Sequence, residues 1–262
     1  MRLDEIEGLD RQRECWRRAR RERHLDDVMD ETAFALGGCG ARVKELSVRI
    51  LLLPADPLAH RFDFNDEVLE KWHASNIDPV TDQPAGWGGS NAATSTSLVK
   101  YEPADGQIWD RYASVDHSGG LDIGLGREGG WAYQEHRFFN LLTIVGRVWA
   151  ACHVHAALAE SLNIPGPSEL TVGLRGTGGA ILGGFAKGWL EPQQSIRGVT
   201  ICHEQNVLVR REVMGHGGDS AREIAFSVGR QIENAFGSTG QRFRIWHDNT
   251  LGDFDKKRYS SR

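Results

Sequence analysis

Hydrophobic and polar positions change period several times along this chain, and each change marks an element. After Arg49 the run from Leu46 to Leu53 is unbroken apolar and stops at Pro54, which predicts a strand covered on both faces and central in its sheet. Ser97 to Tyr101, Ile108 to Val115 and Gly120 to Leu125 predict three short strands, with Asp105-Gly106 and Ser118-Gly119-Gly120 as meander turns. Between Trp72 and Thr96, Pro79, Pro84, Gly86, Gly88 and Gly89 mix with Ser, Asn and Thr, a composition that predicts a long surface loop with Trp87 as its anchor. From Glu135 to Leu162 the period becomes helical: Phe138, Leu141, Leu142, Val145, Val148, Trp149, Cys152, Ala156 and Ala159 recur at steps of three and four, and Pro165 and Pro167 prevent continuation. This is the expected central core helix.

Two further strands are predicted at Thr171 to Leu174 and Ala180 to Leu182, joined by the glycine-rich Arg175 to Gly179 as a hairpin turn, and another pair at Val199 to Cys202 and Val207 to Val209. The segment from Glu204 to Thr239 is the clearest unit. Gln205 to Val213 alternates as a strand, and a glycine hinge follows. Ser220 and Glu223 then have the spacing of a capping box that opens a second helix. Ala221, Ile224, Ala225, Val228, Ile232, Ala235 and Phe236 give that helix its apolar stripe, and Gly237 stands where it stops. Residues 2 to 35 differ from all of this. Glu14, Arg18 and Glu22 lie four apart, as in a solvated helix, and Ile6, Leu9, Trp16 and Ala19 supply only a thin apolar stripe before Gly37-Gly38-Cys39-Gly40.

About eight strands, mostly adjacent in sequence, against three helices imply an α+β fold: a largely antiparallel sheet, a long central core helix, a second C-terminal helix and an N-terminal charged helical arm. The expected division is 1–40 as arm and junction, 41–247 as the α+β body and 248–262 as a polar C-terminal tail. With 262 residues the chain is long enough to bury a sizeable core, and 40% hydrophobic against 26% charged residues excludes wholesale disorder. A formal net charge of -5 argues against a dedicated nucleic-acid binder, because neutralising phosphates calls for a basic excess. Asn140, Arg147, His153 and His155 interrupt the apolar run from Phe138 to Ala159, so no membrane span is expected. The first residues lack the apolar core of a signal peptide, and Cys15, Cys39, Cys152 and Cys202 have no CxxC spacing. Both point to a cytoplasmic chain with reduced thiols.

Candidate chemistry is sparse. The loop RGTGGAILGG, Arg175 to Gly184, has the glycines of a phosphate-binding loop but no Lys-Ser or Lys-Thr at Walker spacing, and a structural turn is the expected role. Cys152, His155, Cys202 and Glu204 are the weak metal candidates; they need a tertiary coincidence, and no metal or other cofactor is predicted. Arg210, Arg211, Arg222 and Arg230 could frame an anion-ligand site, since guanidinium groups match carboxylate and phosphate oxygens. In the arm, Arg13, Arg17, Arg20 and Arg21 are the nucleic-acid candidates, alternating with acids and so suited only to weak binding. His216 sits alone in a glycine turn, Asp63, Asp66 and Asp82 lie in polar segments, and no GxSxG elbow occurs.

Several phrases together resemble the carboxyl-terminal region of bacterial AlbA-like, Schlafen-related DNA-binding proteins, which carry helix-turn-helix or ATP-binding names. They are MRLDEIE with the arginine-rich helix after it, EQNVLVRREV at Glu204 to Val213, and IENAFGST at Ile232 to Thr239. The resemblance implies an AlbA-like module ahead of the arginine-rich helix. No such segment precedes it in these 262 residues, so that module's functional residues have no positions here. The reading that follows is a non-catalytic cytoplasmic sensing or interaction module, accessory to a DNA-linked regulatory or defence-type protein, with a protein partner or self-association left open. The alternatives are a weak nucleic-acid-associated protein acting through the arm, and a hydrolase or metal-dependent enzyme.

Overall fold

The computed structural model describes residues 47–56, 61–87, 89–93, 97–103, 109–126, 128–133, 136–183, 201–213, 221–237 and Tyr259. The chain is α+β. Its main layer is a seven-stranded antiparallel sheet in the order β12-β10-β1-β7-β6-β5-β4, made of β1 (Ser47–Pro54), β4 (Ser90–Ala93), β5 (Ser97–Pro103), β6 (Trp109–Asp116), β7 (Leu121–Leu125), β10 (Ser168–Arg175) and β12 (Asn206–Val213). The apolar run of β1 places it inside the sheet, between β10 and β7, with side chains buried on both faces. Val48, Ile50 and Leu52 point into the main core, and Arg49 and Leu51, of opposite parity, are also buried.

Three helices are described. The shortest, α1 (Asp66–Ser75), is opened by Asn65, whose side chain accepts from Val68 N at 2.9 Å, and it buries little beyond Val68 and Trp72. The long helix α2 (Leu141–Leu162) packs on β1 and β7, and α3 (Ala221–Ala235) packs against α2 and β12. Ring pairs fix the relation of the last two. Phe139 meets Phe236 at 6.1 Å and Trp149 meets Phe226 at 6.5 Å, so the helices run antiparallel. By length and composition α2 could cross a membrane, contrary to the reading that its polar residues disqualify it. In the fold it is mostly buried, as a core helix between the sheet and α3.

Four local expectations change. The long helix begins at Leu141, because Asn140 caps it by accepting from Thr143 N at 3.3 Å, and residues 136–140 form a strand, β9 (His136–Asn140). β9 lies between β8 (Gly130–Tyr133) and β11 (Ile181–Gly183) in a small second sheet, with β11 parallel to it. The segment Arg175 to Gly179 is therefore no hairpin turn: it carries the chain from the large sheet to the small one. Ile201 bridges to Ile181, while β12 pairs with β10, so among the described residues Ile201 and Cys202 do not make the strand pairing expected between Val199–Cys202 and Val207–Val209; Val199 and Thr200 lie outside the described residues. Finally, the expected surface loop from Trp72 contains the end of α1, the short ladder β2 (Ile77–Asp78) with β3 (Gln83–Pro84), and β4; Trp87 does anchor it, at 0% exposure. The predicted arm at residues 2–35 and the N-cap Ser220 are outside the described residues.

Candidate functional site

One arginine, Arg147, enters the core on the mainly apolar α2, and it organises a polar cluster. Arg147 donates to Glu128 Oε1 through Nε at 2.9 Å and Nη2 at 2.5 Å, and through Nη1 to the Ala85 carbonyl at 2.5 Å. Its guanidinium carbon stands 5.0 Å from the Trp87 ring centroid. Glu128 sits in the turn between β7 and β8, where Gly129 N and Gly130 N both donate to the Gly126 carbonyl. Its other oxygen lies 3.6 Å from Arg111, which also pairs with its cross-strand neighbour Glu102. The result is an alternating series, Glu102, Arg111, Glu128, Arg147, that runs from the sheet surface into the core with no net charge. Beside it, the Tyr259 hydroxyl donates to Asp78 Oδ2 at 2.9 Å, and Val80 N donates to Asp78 Oδ1 at 2.8 Å. Trp87 Nε1 and Asn76 Oδ1 are buried there without hydrogen-bond partners.

The other face of the large sheet holds a second pair, a buried arginine on a half-buried carboxylate. Arg49 on β1 donates to both oxygens of Asp122 on β7, Nε at 2.9 Å and Nη2 at 2.6 Å, and Tyr112 on β6 adds its hydroxyl to Oδ1 at 3.1 Å. Gly124, opposite Tyr112 in the ladder, makes this arrangement fit, since a Cβ there would overlap the phenol ring. Burial pushes the Tyr112 hydroxyl well above its ordinary range and the Asp122 carboxylate adds to this, with Arg49 opposing.

The sequence candidates fall into separate places. On β12, Arg210 stands opposite Thr171 with parity opposite to the core residues Val207 and Val209, so it projects from the face away from the helices. Arg211 has core parity but is exposed and reaches α3: it donates to Ser227 Oγ, and the Gln231 amide oxygen, turned toward it, accepts at 2.6 and 2.8 Å. Arg222 lies over Phe226 at 5.2 Å and Trp149 at 6.0 Å, and Arg230 is exposed two turns further along α3. Arg211, Arg222 and Arg230 are thus all associated with α3 but at different positions round it, Arg222 on the side toward α2 and Arg211 on the side of Ser227 and Gln231, and Arg210 does not join them. The arm candidates Arg13, Arg17, Arg20 and Arg21, and His216, lie outside the described residues.

The weak metal set does not assemble. Cys152 and His155 are buried on α2, while Cys202 Sγ lies 3.6 Å from the carbonyl oxygens of Glu204 and Ala235, and the Glu204 side chain is exposed. Among the described residues no three His, Cys, Asp or Glu side chains come together as ion ligands. Burial pushes the Cys152 thiol up to about 12, so it is protonated and unreactive near neutrality. The glycine-rich loop offers little to an anion, because its amides are bonded within the chain. Gly176 N donates to Asn206 Oδ1, Thr177 N to Gln205 O, Gly179 N to Cys202 O and Ala180 N to Thr177 O. Asp63 and Asp82 are exposed and Asp66 lies in the first turn of α1.

Sequence reasoning missed both buried arginine clusters and Tyr259. A signal existed for two of the residues: Arg49 and Arg147 each interrupt an apolar run, and a charge in such a run needs a partner. Comparison of the chain with protein-family models, with curated proteins and with solved structures finds no match in any of the three.

Proposed function

We propose that this chain is a non-catalytic sensing or interaction module, working in the cytoplasm as an accessory to a DNA-linked regulatory or defence-type bacterial protein. The link to DNA and to bacteria rests on the phrases MRLDEIE with its arginine-rich continuation, EQNVLVRREV and IENAFGST. The module reading rests on where the charge is placed. Arg49, Asp122, Glu128 and Arg147 join one element to another, while Arg211, Arg222 and Arg230 lie round α3, with Arg222 over the half-buried Trp149 and Phe226 and Arg230 exposed. Arginine and tryptophan are the side chains that most often dominate protein recognition, and Arg211 is held in place by Ser227 and Gln231 before any partner arrives.

The test is a turnover screen of the purified chain with nucleotides, activated esters and oligonucleotides. The expected outcome is that none is consumed. Turnover that co-purifies with the chain and disappears on substitution of one polar residue refutes the reading.

A further inference from the structure

Tyr259 is an aromatic residue in polar company. Its sequence neighbours are Lys256, Lys257, Arg258, Ser260 and Ser261, yet its own side chain is 2% exposed. The place it occupies has three matched features. Gly146 on α2 gives a flat shelf, because a Cβ at that position would overlap the ring. Asp78, itself 4% exposed and held by Val80 N, offers Oδ2 to the phenol hydroxyl at 2.9 Å. Burial and the Asp78 carboxylate hold the hydroxyl protonated, with the Arg147 charge opposing. Shape, acceptor and burial all suit a neutral phenol.

We infer that this slot is a receptor for a tyrosine side chain, filled in cis by Tyr259, and that its ligand class is a tyrosine-bearing basic segment of the Lys-Arg-Tyr-Ser type. The acceptor is a carboxylate, so the slot selects a hydroxyl donor: phenylalanine leaves Asp78 Oδ2 without its donor, and a phosphotyrosine brings a dianion against the same oxygen. The tyrosine is a tethered occupant, and its removal leaves Gly146, Asp78 and the edge of the Arg147 cluster open to the same side chain supplied in trans. This goes beyond the interaction-module reading and stands apart from it: catalytic turnover would remove that reading and leave the slot intact.

The experiment uses the full chain carrying Tyr259→Ala and a labelled peptide of residues 253–262, DFDKKRYSSR, followed by fluorescence anisotropy. Saturable binding to Tyr259→Ala is expected, with roughly 100-fold weaker binding to the unaltered chain, whose tethered tyrosine competes at an effective concentration near millimolar. A peptide with phenylalanine in place of the tyrosine is expected to bind about tenfold more weakly, and the phosphotyrosyl peptide not at all. Equal binding to the two proteins, or undiminished binding of the phosphotyrosyl peptide, overturns the inference. A milder variant covers failure of Tyr259→Ala to fold. In Tyr259→Phe, trypsin should cleave after Arg258 about tenfold faster than in the unaltered chain, because the occupant is held by one hydrogen bond fewer. An unchanged cleavage rate overturns it equally.

Discussion

Replacing Arg147 by methionine keeps most of the side-chain volume on α2 and removes the charge, so it isolates the electrostatic role of the cluster. Three hydrogen bonds are lost, two to Glu128 and one to the Ala85 carbonyl, together with the contact on Trp87. Glu128 is left as an anion whose side chain is 12% exposed, with Arg111 still 3.6 Å away. Removing one partner of a buried pair typically costs about 3–5 kcal/mol, and the residual attraction of Arg111 places this case near the lower end, at about 3 kcal/mol. For a body of this size that corresponds to a fall in Tm of roughly 6–12 °C. Urea unfolding followed by tryptophan fluorescence is a suitable assay, since Trp87 and Trp72 are buried in the same body. Glu128→Gln and the double variant complete the cycle. Glutamine removes the stranded charge, so the double variant should recover about 1 kcal/mol or more relative to Arg147→Met alone. A coupling energy under about 0.5 kcal/mol would show that the two residues are merely adjacent and would refute the reasoning.

Three other outcomes follow from the ionisable groups. Tyr112 has a raised hydroxyl, so its contribution is complete below the ordinary tyrosine value near 10 and is lost as the pH climbs from there through the folded value. Tyr112→Phe should therefore be less stable by about 1 kcal/mol at pH 8 but show a flatter decline between roughly pH 9 and 11; a parallel decline contradicts this. His73 is lowered, first by burial and then by the Lys100 charge, so the unfolded chain takes up the proton first and stability falls as pH drops below 6.5. Lys100→Met should move the His73 imidazole titration part of the way back up in an NMR experiment, and an unmoved titration would remove Lys100 as a cause. Maleimide at pH 8, mapped by mass spectrometry, should leave the buried Cys152 and Cys202 unmodified until the chain is unfolded; native labelling of Cys152 at the rate of a free thiol is incompatible with its burial.

Those parts of the fold with a strong local period were legible in the sequence. The apolar run before Pro54, the alternating strands on either side of Ser118, and the stripes of α2 and α3 each fix an element, because burying one face leaves little freedom of assignment. The helix α1 was not legible, since Val68 and Trp72 are almost all it buries and its remaining positions are polar. The start of α2 was misplaced because Phe138 and Phe139 satisfy both a helical stripe and a buried strand; Asn140 was the overlooked signal, a cap residue at the true boundary. Glycines announced a bend after Arg175 but not which sheet the next strand would join, because that depends on β9, some forty residues earlier. For the same reason the Arg147 cluster was invisible: its members at 78, 85, 87, 128, 147 and 259 share no spacing, and only tertiary packing brings them together.

The two buried arginine pairs do related work on opposite faces of the sheet. A one-residue slip of β1 against β7 would send Arg49 into the face that now holds Val48, Ile50 and Leu52, away from Asp122 and Tyr112. Turning α2 by one residue, about 100°, would carry Arg147 away from Glu128 and from the Ala85 carbonyl and take these partners from its buried guanidinium. Neither pair adds much net stability compared with well-packed apolar side chains, because desolvation offsets most of the attraction. What each does is penalise the wrong register or rotation, which an apolar sheet and an almost wholly apolar helix would otherwise tolerate. The paired charges within the body therefore act on its architecture, penalising a slip of β1 and a rotation of α2.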